Sequence, residues 1–129
     1  IYPEGTLTRD ENLWPMTGKT GAVRLALAAN VPLIPVAQWG DQEILGPYSK
    51  RLRLFPRKLV SLKCGDPLDL SKWMGKVDDP EAMEEAASYA MSVLAEMVGE
   101  LRNKVAPKVL FDIRKSDLPR TGNFRKKRK

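Results

Sequence analysis

The sequence predicts an α/β fold, a mostly parallel sheet flanked by helices, and three observations lead to this prediction. Over residues 1–39 a strand end, a helix and a second strand follow one another with short connections, a pattern typical of the right-handed crossover that joins parallel strands. A longer helix with one apolar face follows later in the chain. The 129 residues are 43% hydrophobic, which suits one domain with a real core.

The first predicted element is the end of a strand at residues 1–2, because Pro3 and Gly5 break regular pairing directly afterwards. Polar and turn-forming residues dominate positions 7–18, and this composition predicts a loop. Positions 19–30 predict a helix with apolar residues on nearly every side. Such a helix is expected to be largely buried.

A second strand is predicted at positions 33–39, a short apolar run rich in Ile and Val that Gly40 closes. Asn30 suits the left-handed residue that ends a helix, and Pro32 prevents continuation of the helix, so the connection between helix and strand is short. Pro35 has no backbone N–H to donate, which indicates an edge position or a bulge.

Two further short strands are predicted at positions 52–55 and 59–64, on either side of Pro56. Cys64 is the only cysteine, so the chain cannot form an internal disulfide. Its setting is expected to be a reducing compartment or one where redox conditions do not matter. Cys64 itself is interpreted as a small, buried apolar side chain.

The longest predicted helix begins at Asp79, which suits the N-cap. Pro80 at the first helical position and Glu81 near the positive end of the helix dipole strengthen this prediction. Because the face opposite the apolar one is acidic, the apolar face is expected to pack on the sheet rather than on lipid. Apolar residues recur at spacings of three and four over about six turns: Met83, Ala86, Ala87, Ala90, Met91, Leu94, Met97, Val98 and Leu101.

The positive charge of the chain is concentrated at its C-terminal end. Residues 1–111 are predicted to form the folded domain, and residues 112–129 a basic, disordered tail. No apolar run is long enough to span a bilayer, so contact with an anionic membrane is expected to be peripheral, through this tail, or to be made by a part of the protein upstream of Ile1. Alternatively, the tail is simply solvated. The net charge of the whole chain is +6. The tail alone has the same net charge, because its acidic residues are Asp112 and Asp117 and its basic residues are Arg114, Lys115, Arg120, Arg125, Lys126, Lys127, Arg128 and Lys129.

Ligand chemistry is expected in the loop after the first strand, because ligands of open parallel sheets lie beyond the carboxyl ends of the strands. Glu4 is placed to hold a substrate hydroxyl, Gly5 allows close backbone approach, and Thr6 supplies a hydroxyl donor. Arg9, Lys19 and the backbone N–H groups at the start of the first helix suit a phosphate. A phosphorylated, hydroxyl-bearing small molecule is therefore predicted; alternatively, Glu4 caps a turn and Arg9 is its surface partner.

Two motifs and their spacing resemble the glycerolipid acyltransferase family. Tyr2–Thr6 reads Tyr-Pro-Glu-Gly-Thr and is similar to the family's Phe-Pro-Glu-Gly-Thr motif. Val31–Val36 reads Val-Pro-Leu-Ile-Pro-Val and is similar to its Val-Pro-Ile-x-Pro-Val motif. Lys19, Gly21 and Leu25–Ala26 resemble positions usually found between the two. The motifs stand in the family's order at the family's spacing.

The resemblance is close over residues 1–40 and loose beyond them, and it implies the C-terminal part of the glycerolipid acyltransferase fold. It places Glu4 and Gly5 in the pocket for the acyl acceptor and the Val-Pro motif near the acyl donor. The alternative for the second motif is that its four branched apolar side chains are simply core: Val31, Leu33, Ile34 and Val36.

Two departures from the family pattern shape the prediction. Leu7 stands where the family commonly has an Arg for the acceptor phosphate. Arg9 lies two residues on and points the same way in an extended segment, so Arg9, helped by Lys19, is the predicted phosphate ligand. The family's His-x4-Asp motif, whose His acts as general base, has no counterpart because the chain contains no His. The base is therefore expected upstream of Ile1, and this chain alone is expected to be inactive.

The function that the resemblance implies is acyl transfer in phospholipid biosynthesis at the cytoplasmic face of the membrane. A fatty acyl group would move from acyl-CoA or acyl carrier protein to the hydroxyl of 1-acylglycerol-3-phosphate, giving phosphatidate. The acyl thioester is a substrate, and no cofactor, metal ion or specific nucleic acid is expected. Glycerol-3-phosphate or another lysophospholipid remains an alternative acceptor, since each offers similar groups to Glu4 and Arg9.

Two other classes of function compete with this prediction. Residues 18–20 read Gly-Lys-Thr, as at the end of a nucleotide-binding P-loop. Leu13 stands where that motif needs its first Gly, which argues against a nucleotide triphosphatase. A non-enzymatic module that binds anionic lipid or nucleic acid through residues 125–129 is the other alternative.

Overall fold

The structure is a computed structural model, and it describes residues 1–119. Three α-helices and two β-strands lie in these residues. In chain order they are α1 (Gly21–Ala29), β1 (Val36–Trp39), α2 (Asp41–Ile44), β2 (Ser61–Cys64) and α3 (Pro80–Arg102). Short 3-10 turns occur at Ser71–Trp73 and Ile113–Lys115. The described part of the chain is thus mixed α/β, as predicted.

The sheet of the described residues has two strands, and they are antiparallel. Val36 lies opposite Cys64 at one end of the pair, and Trp39 lies opposite Ser61 at the other. Residues 1–2 are not assigned to a strand, so the predicted parallel crossover is not confirmed. β1 instead pairs with the strand that follows it, and an antiparallel neighbour needs no crossover helix.

α1 ends where the sequence predicts, but it is less buried than predicted. Asn30 is left-handed, with φ 51°, and its N–H bonds the last carbonyls of the helix. Ala22, Val23 and Ala26 are buried on one face. Leu25, on another face, is 57% exposed. The prediction of a largely buried helix was therefore wrong, because the described elements cover only one side of α1.

α3 is the central element of the core and confirms the predicted amphipathic helix. The Asp79 side chain accepts hydrogen bonds from the backbone N–H groups of Glu81 and Ala82, and Pro80 occupies the first turn. The small side chains of α3 let neighbouring elements approach closely. Its N-terminal half packs on α1 together with Leu70 and Trp73. Its C-terminal half packs through Met97 and Val98 against Trp14 and Ala37.

Two predictions for the middle of the chain were wrong. Residues 52–55 form no strand: no described segment pairs with them, and Leu52 and Leu54 are more than half exposed. Cys64 is exposed rather than buried. It alternates with Lys63 along β2, and alternate side chains of a strand point to opposite faces.

The start of the predicted tail lies against the loop that precedes α1. Phe111 forms a parallel bridge with Met16, and the Thr17 N–H donates to the Phe111 carbonyl at 3.0 Å. Asp112 accepts from the Thr17 hydroxyl at 3.3 Å. The domain boundary at residue 111 stays a prediction. The basic run at residues 125–129 lies outside the described residues.

Candidate functional site

The segment predicted to bind a ligand is a tight turn that leads to the start of α1. The Gly5 N–H donates to the Tyr2 carbonyl at 3.1 Å, and Gly5 has φ 67°, a conformation that favours glycine. The Lys19 N–H donates to the Pro3 carbonyl at 2.8 Å. This bond joins residues that are sixteen positions apart, so the turn is fixed beside the first helix.

The Lys19 ammonium group lies directly over Gly5. A Cβ atom placed on Gly5 would be 2.9 Å from Lys19 Nζ, closer than real contacts allow. Lys19 is itself exposed, so its charge is available to a ligand at the turn. Among the predicted site residues, the structure therefore brings Gly5 and Lys19 together.

Two features leave the N-terminus of α1 available to an anion. Within the described chain no side chain caps it, and its first turn carries no acidic residue. A helix start with these features carries a partial positive charge and unused backbone N–H groups. The Lys19 N–H is not among these groups, since it donates to the Pro3 carbonyl.

Glu4 lies on the same turn and is partly buried. Burial raises the pKa of its carboxyl group from 4.5 to about 7, because removal from water penalises the charged form. A hydrogen bond from the Met16 backbone acts in the opposite direction and is the weaker effect. Near neutral pH Glu4 can therefore donate or accept a hydrogen bond. Thr6, two residues further on, is also partly buried.

Arg9 is not brought to this surface. Only 2% of it is exposed, and its guanidinium lies 5.3 Å from the centre of the Tyr48 ring. Leu7, in contrast, is 56% exposed. In an extended segment the side chains of Leu7 and Arg9 would point the same way and be similarly exposed, which is not observed. Of the two side chains predicted to bind phosphate, the structure places Lys19, and not Arg9, against the turn. The role of Arg9 stays a prediction.

The P-loop interpretation finds no support in the surroundings of Gly18. A Cβ atom there would lie 2.8 Å from Met91 Cγ and 3.1 Å from Pro3 Cβ. Gly18 thus packs against side chains of the core and the turn. A phosphate cradle needs open backbone at this position.

The family-model comparison matches the same region. The model described as Acyltransferase matches residues 1–39, which contain the turn, Lys19 and α1. This part of the chain belongs to the acyltransferase family. The match ends at Trp39, the last residue of β1.

Curated relatives extend the similarity to this acyltransferase family over most of the chain. A 1-acyl-sn-glycerol-3-phosphate acyltransferase of Escherichia coli (strain K12) is 32% identical over 108 residues, 82% of this chain and 38% of that protein. One of Haemophilus influenzae is 27% identical over 106 residues, 82% and 39% of the two chains. One of Limnanthes douglasii is 32% identical over 80 residues, 61% and 27%. The chain thus spans less than two fifths of these relatives.

No solved structure matches this chain. Within residues 1–119, none of the helices combines the length and the apolar character that crossing a membrane requires.

The second motif of the acyltransferase resemblance is only partly core. Leu33 packs against the buried cluster under α1. Val31, Ile34 and Val36 are each about half exposed. The interpretation of all four as core was therefore wrong. Val36 lies on the face of the two-stranded sheet that no described element covers, and Val31 and Ile34 lie in the loop before β1.

Sequence reasoning missed Arg102, the last residue of α3. Its guanidinium lies 4.0 Å from the Trp14 ring centre and 4.1 Å from that of Trp39. Its Nη2 donates to the Asn12 carbonyl at 2.9 Å. Arg102 thereby holds the loop around Asn12 and Trp14 against the end of α3. No local pattern in the sequence could have linked positions so far apart.

Proposed function

We propose that this chain forms the acceptor-binding part of an enzyme that acylates 1-acylglycerol-3-phosphate and yields phosphatidate. The acyl group comes from a thioester, either acyl-CoA or acyl carrier protein. The observation that carries the proposal is the Glu4–Gly5 turn beneath the Lys19 ammonium, at the uncapped start of α1. The names of the curated relatives support the same acceptor.

Each group at the turn has a proposed role toward the acceptor. Glu4 holds the free hydroxyl, since a carboxyl group with a pKa of about 7 is both donor and acceptor near neutral pH. Lys19 and the N-terminus of α1 bind the phosphate. Gly5 leaves room for the ligand, and Thr6 adds a hydroxyl donor. Arg9 remains a candidate for the phosphate only if it moves out of its buried position.

The wider setting belongs to the same proposal. The complete enzyme would act at the cytoplasmic face of the membrane, in phospholipid biosynthesis. Its catalytic base would lie outside this chain, which contains no His. A mostly parallel sheet would form from strands outside this chain together with β1.

Because the catalytic base would lie outside this chain, the chain alone, given acyl-CoA and lysophosphatidate, is expected to form no phosphatidate. Formation of phosphatidate by the chain alone would refute this division of roles.

The acceptor proposal is tested by titrating the isotopically labelled chain with a short-chain 1-acylglycerol-3-phosphate below its micelle concentration. NMR shifts are expected at the amides of Gly5 and the first turn of α1. Lys19→Gln should weaken binding about fivefold, as expected for an exposed charge pair of about 1 kcal/mol. Lys108→Gln, which removes another exposed positive charge elsewhere, is the matched control.

Three results decide the test. Equal binding by the Lys19 and Lys108 variants would remove Lys19 from the phosphate site. If glycerol-3-phosphate binds as tightly as the acylated compound, the alternative acceptor is favoured, because the acyl chain then contributes nothing to the affinity. In the complete enzyme, Arg9→Ala should raise the KM for the acceptor strongly if Arg9 contacts the phosphate. An unchanged KM would exclude Arg9 from the pocket.

A further inference from the structure

A second basic region lies in the middle of the chain, far from the charged tail. We call residues 50–60 the basic apolar loop. Basic and large apolar side chains alternate along it, and no Asp or Glu occurs anywhere between Glu43 and Asp66. Its basic residues are Lys50, Arg51, Arg53, Arg57 and Lys58, and its large apolar residues are Leu52, Leu54, Phe55, Leu59 and Val60.

The apolar side chains of this loop point into solvent. Phe55 is 85% exposed and Leu59 is 81% exposed. Leu52 and Leu54 are 60% and 58% exposed. Soluble proteins rarely leave a contiguous apolar patch uncovered, and one rimmed by polar groups marks an interaction site.

The loop is attached to the folded part of the chain at its start and near its end. The Arg53 N–H donates to the Ile44 carbonyl, the last residue of α2, at 2.8 Å. A local bond from the Arg51 N–H to the Ser49 hydroxyl, at 3.1 Å, shapes the chain where it enters the loop. Beyond residue 60 the chain enters β2. The apolar tip is thus presented from fixed ends.

We infer that the basic apolar loop docks on the surface of an anionic phospholipid bilayer. Its basic groups meet the headgroups, and Leu54, Phe55 and Leu59 enter the boundary between headgroups and acyl chains. A nucleic acid would use the charges but offers no apolar layer for three highly exposed large side chains. The inference rests on this surface alone and stands whether or not the turn at Glu4 binds lysophosphatidate.

The inference is tested by vesicle sedimentation with the full chain. The vesicles contain either phosphatidylcholine alone or one part phosphatidylglycerol to three parts phosphatidylcholine. Leu54→Ser with Phe55→Ser removes the apolar tip, and Arg51→Gln with Arg53→Gln removes two charges. Each double variant is expected to weaken partitioning onto the anionic vesicles about tenfold or more.

Two controls separate the loop from other surfaces. Val105→Ser with Val109→Ser changes two side chains that are 94% and 84% exposed elsewhere, and should leave partitioning unchanged. A chain that ends at residue 119 measures the part due to the basic tail. Unchanged thermal unfolding midpoints show that the variants fold.

A second readout locates the tip. A nitroxide at Phe55→Cys, in a Cys64→Ala background, should become more accessible to oxygen than to a polar relaxation agent on anionic vesicles. Equal partitioning of the parent chain and both double variants would overturn the inference. So would binding to duplex DNA together with none to anionic vesicles, or a nitroxide that stays in water on the bound chain.

Discussion

Replacing Glu4 with Gln should change the pH dependence of stability in a way that only its buried carboxyl group can cause. The folded chain raises the pKa of Glu4 to about 7, above its ordinary value of 4.5. The folded state therefore holds this proton more tightly than the unfolded state does. The resulting stability is fully present below pH 4.5 and is lost as the pH rises through about 7. The amide of the Glu4→Gln variant does not ionise, so the variant lacks this loss.

The size of the effect follows from the same two pKa values. Each unit of difference between the pKa values of the folded and unfolded states corresponds to about 1.36 kcal/mol in the free energy of unfolding. The change from 4.5 to about 7 means that ionised Glu4 costs the folded chain about 3 kcal/mol. The difference in the free energy of unfolding between variant and parent should grow between these pH values and then level off. A loss of this size is a large fraction of the stability of a small domain.

The measurement is urea unfolding of both chains at several pH values from acid to mildly alkaline. Glu96→Gln, which replaces an exposed carboxyl group on α3 with the same amide, is the matched control. Titration of the Glu4 side-chain carbon by NMR checks the pKa directly. A Glu4 pKa near 4.5, or a flat difference curve, would refute the argument from burial.

Three further predictions concern the turn and α3. Gly5→Ala should lower the free energy of unfolding by about 1–2 kcal/mol, because Gly5 has a positive φ. The added methyl group should also displace the Lys19 ammonium and weaken phosphate binding, and unchanged binding would contradict this. Asp79→Ala removes the N-cap of α3 and should cost about 1 kcal/mol in urea unfolding, whereas Asp78→Ala should cost less. Met83→Ala, at a fully buried position, should cost about 2–5 kcal/mol by calorimetry, and a smaller loss would mean that the core collapses around it.

Local signals in the sequence were enough to predict α3 and the end of α1. The Asp79 cap, Pro80 and the regular apolar spacing all act within a few residues of each other. In these cases the deciding interactions are close in sequence.

Features that depend on distant segments were not predictable in the same way. The direction of the sheet depends on whether β1 pairs with β2 or with an earlier strand, and both patterns suit the same apolar run. The burial of Arg9 depends on Tyr48, almost forty positions later. Residues 52–55 have strand-forming alternation but find no pairing partner among the described residues. Intrinsic strand preference is weak without such a partner.

The placement of Arg102 between two tryptophan rings has a consequence for how the chain opens. Opening of the last turn of α3 would pull the guanidinium away from Trp14, Trp39 and the Asn12 carbonyl at once. The helix end, the strand end and the loop should therefore exchange their amide hydrogens as one cooperative unit. A ligand held at Lys19, at the other end of that loop, would slow exchange in the last turn of α3 by stabilising the closed form.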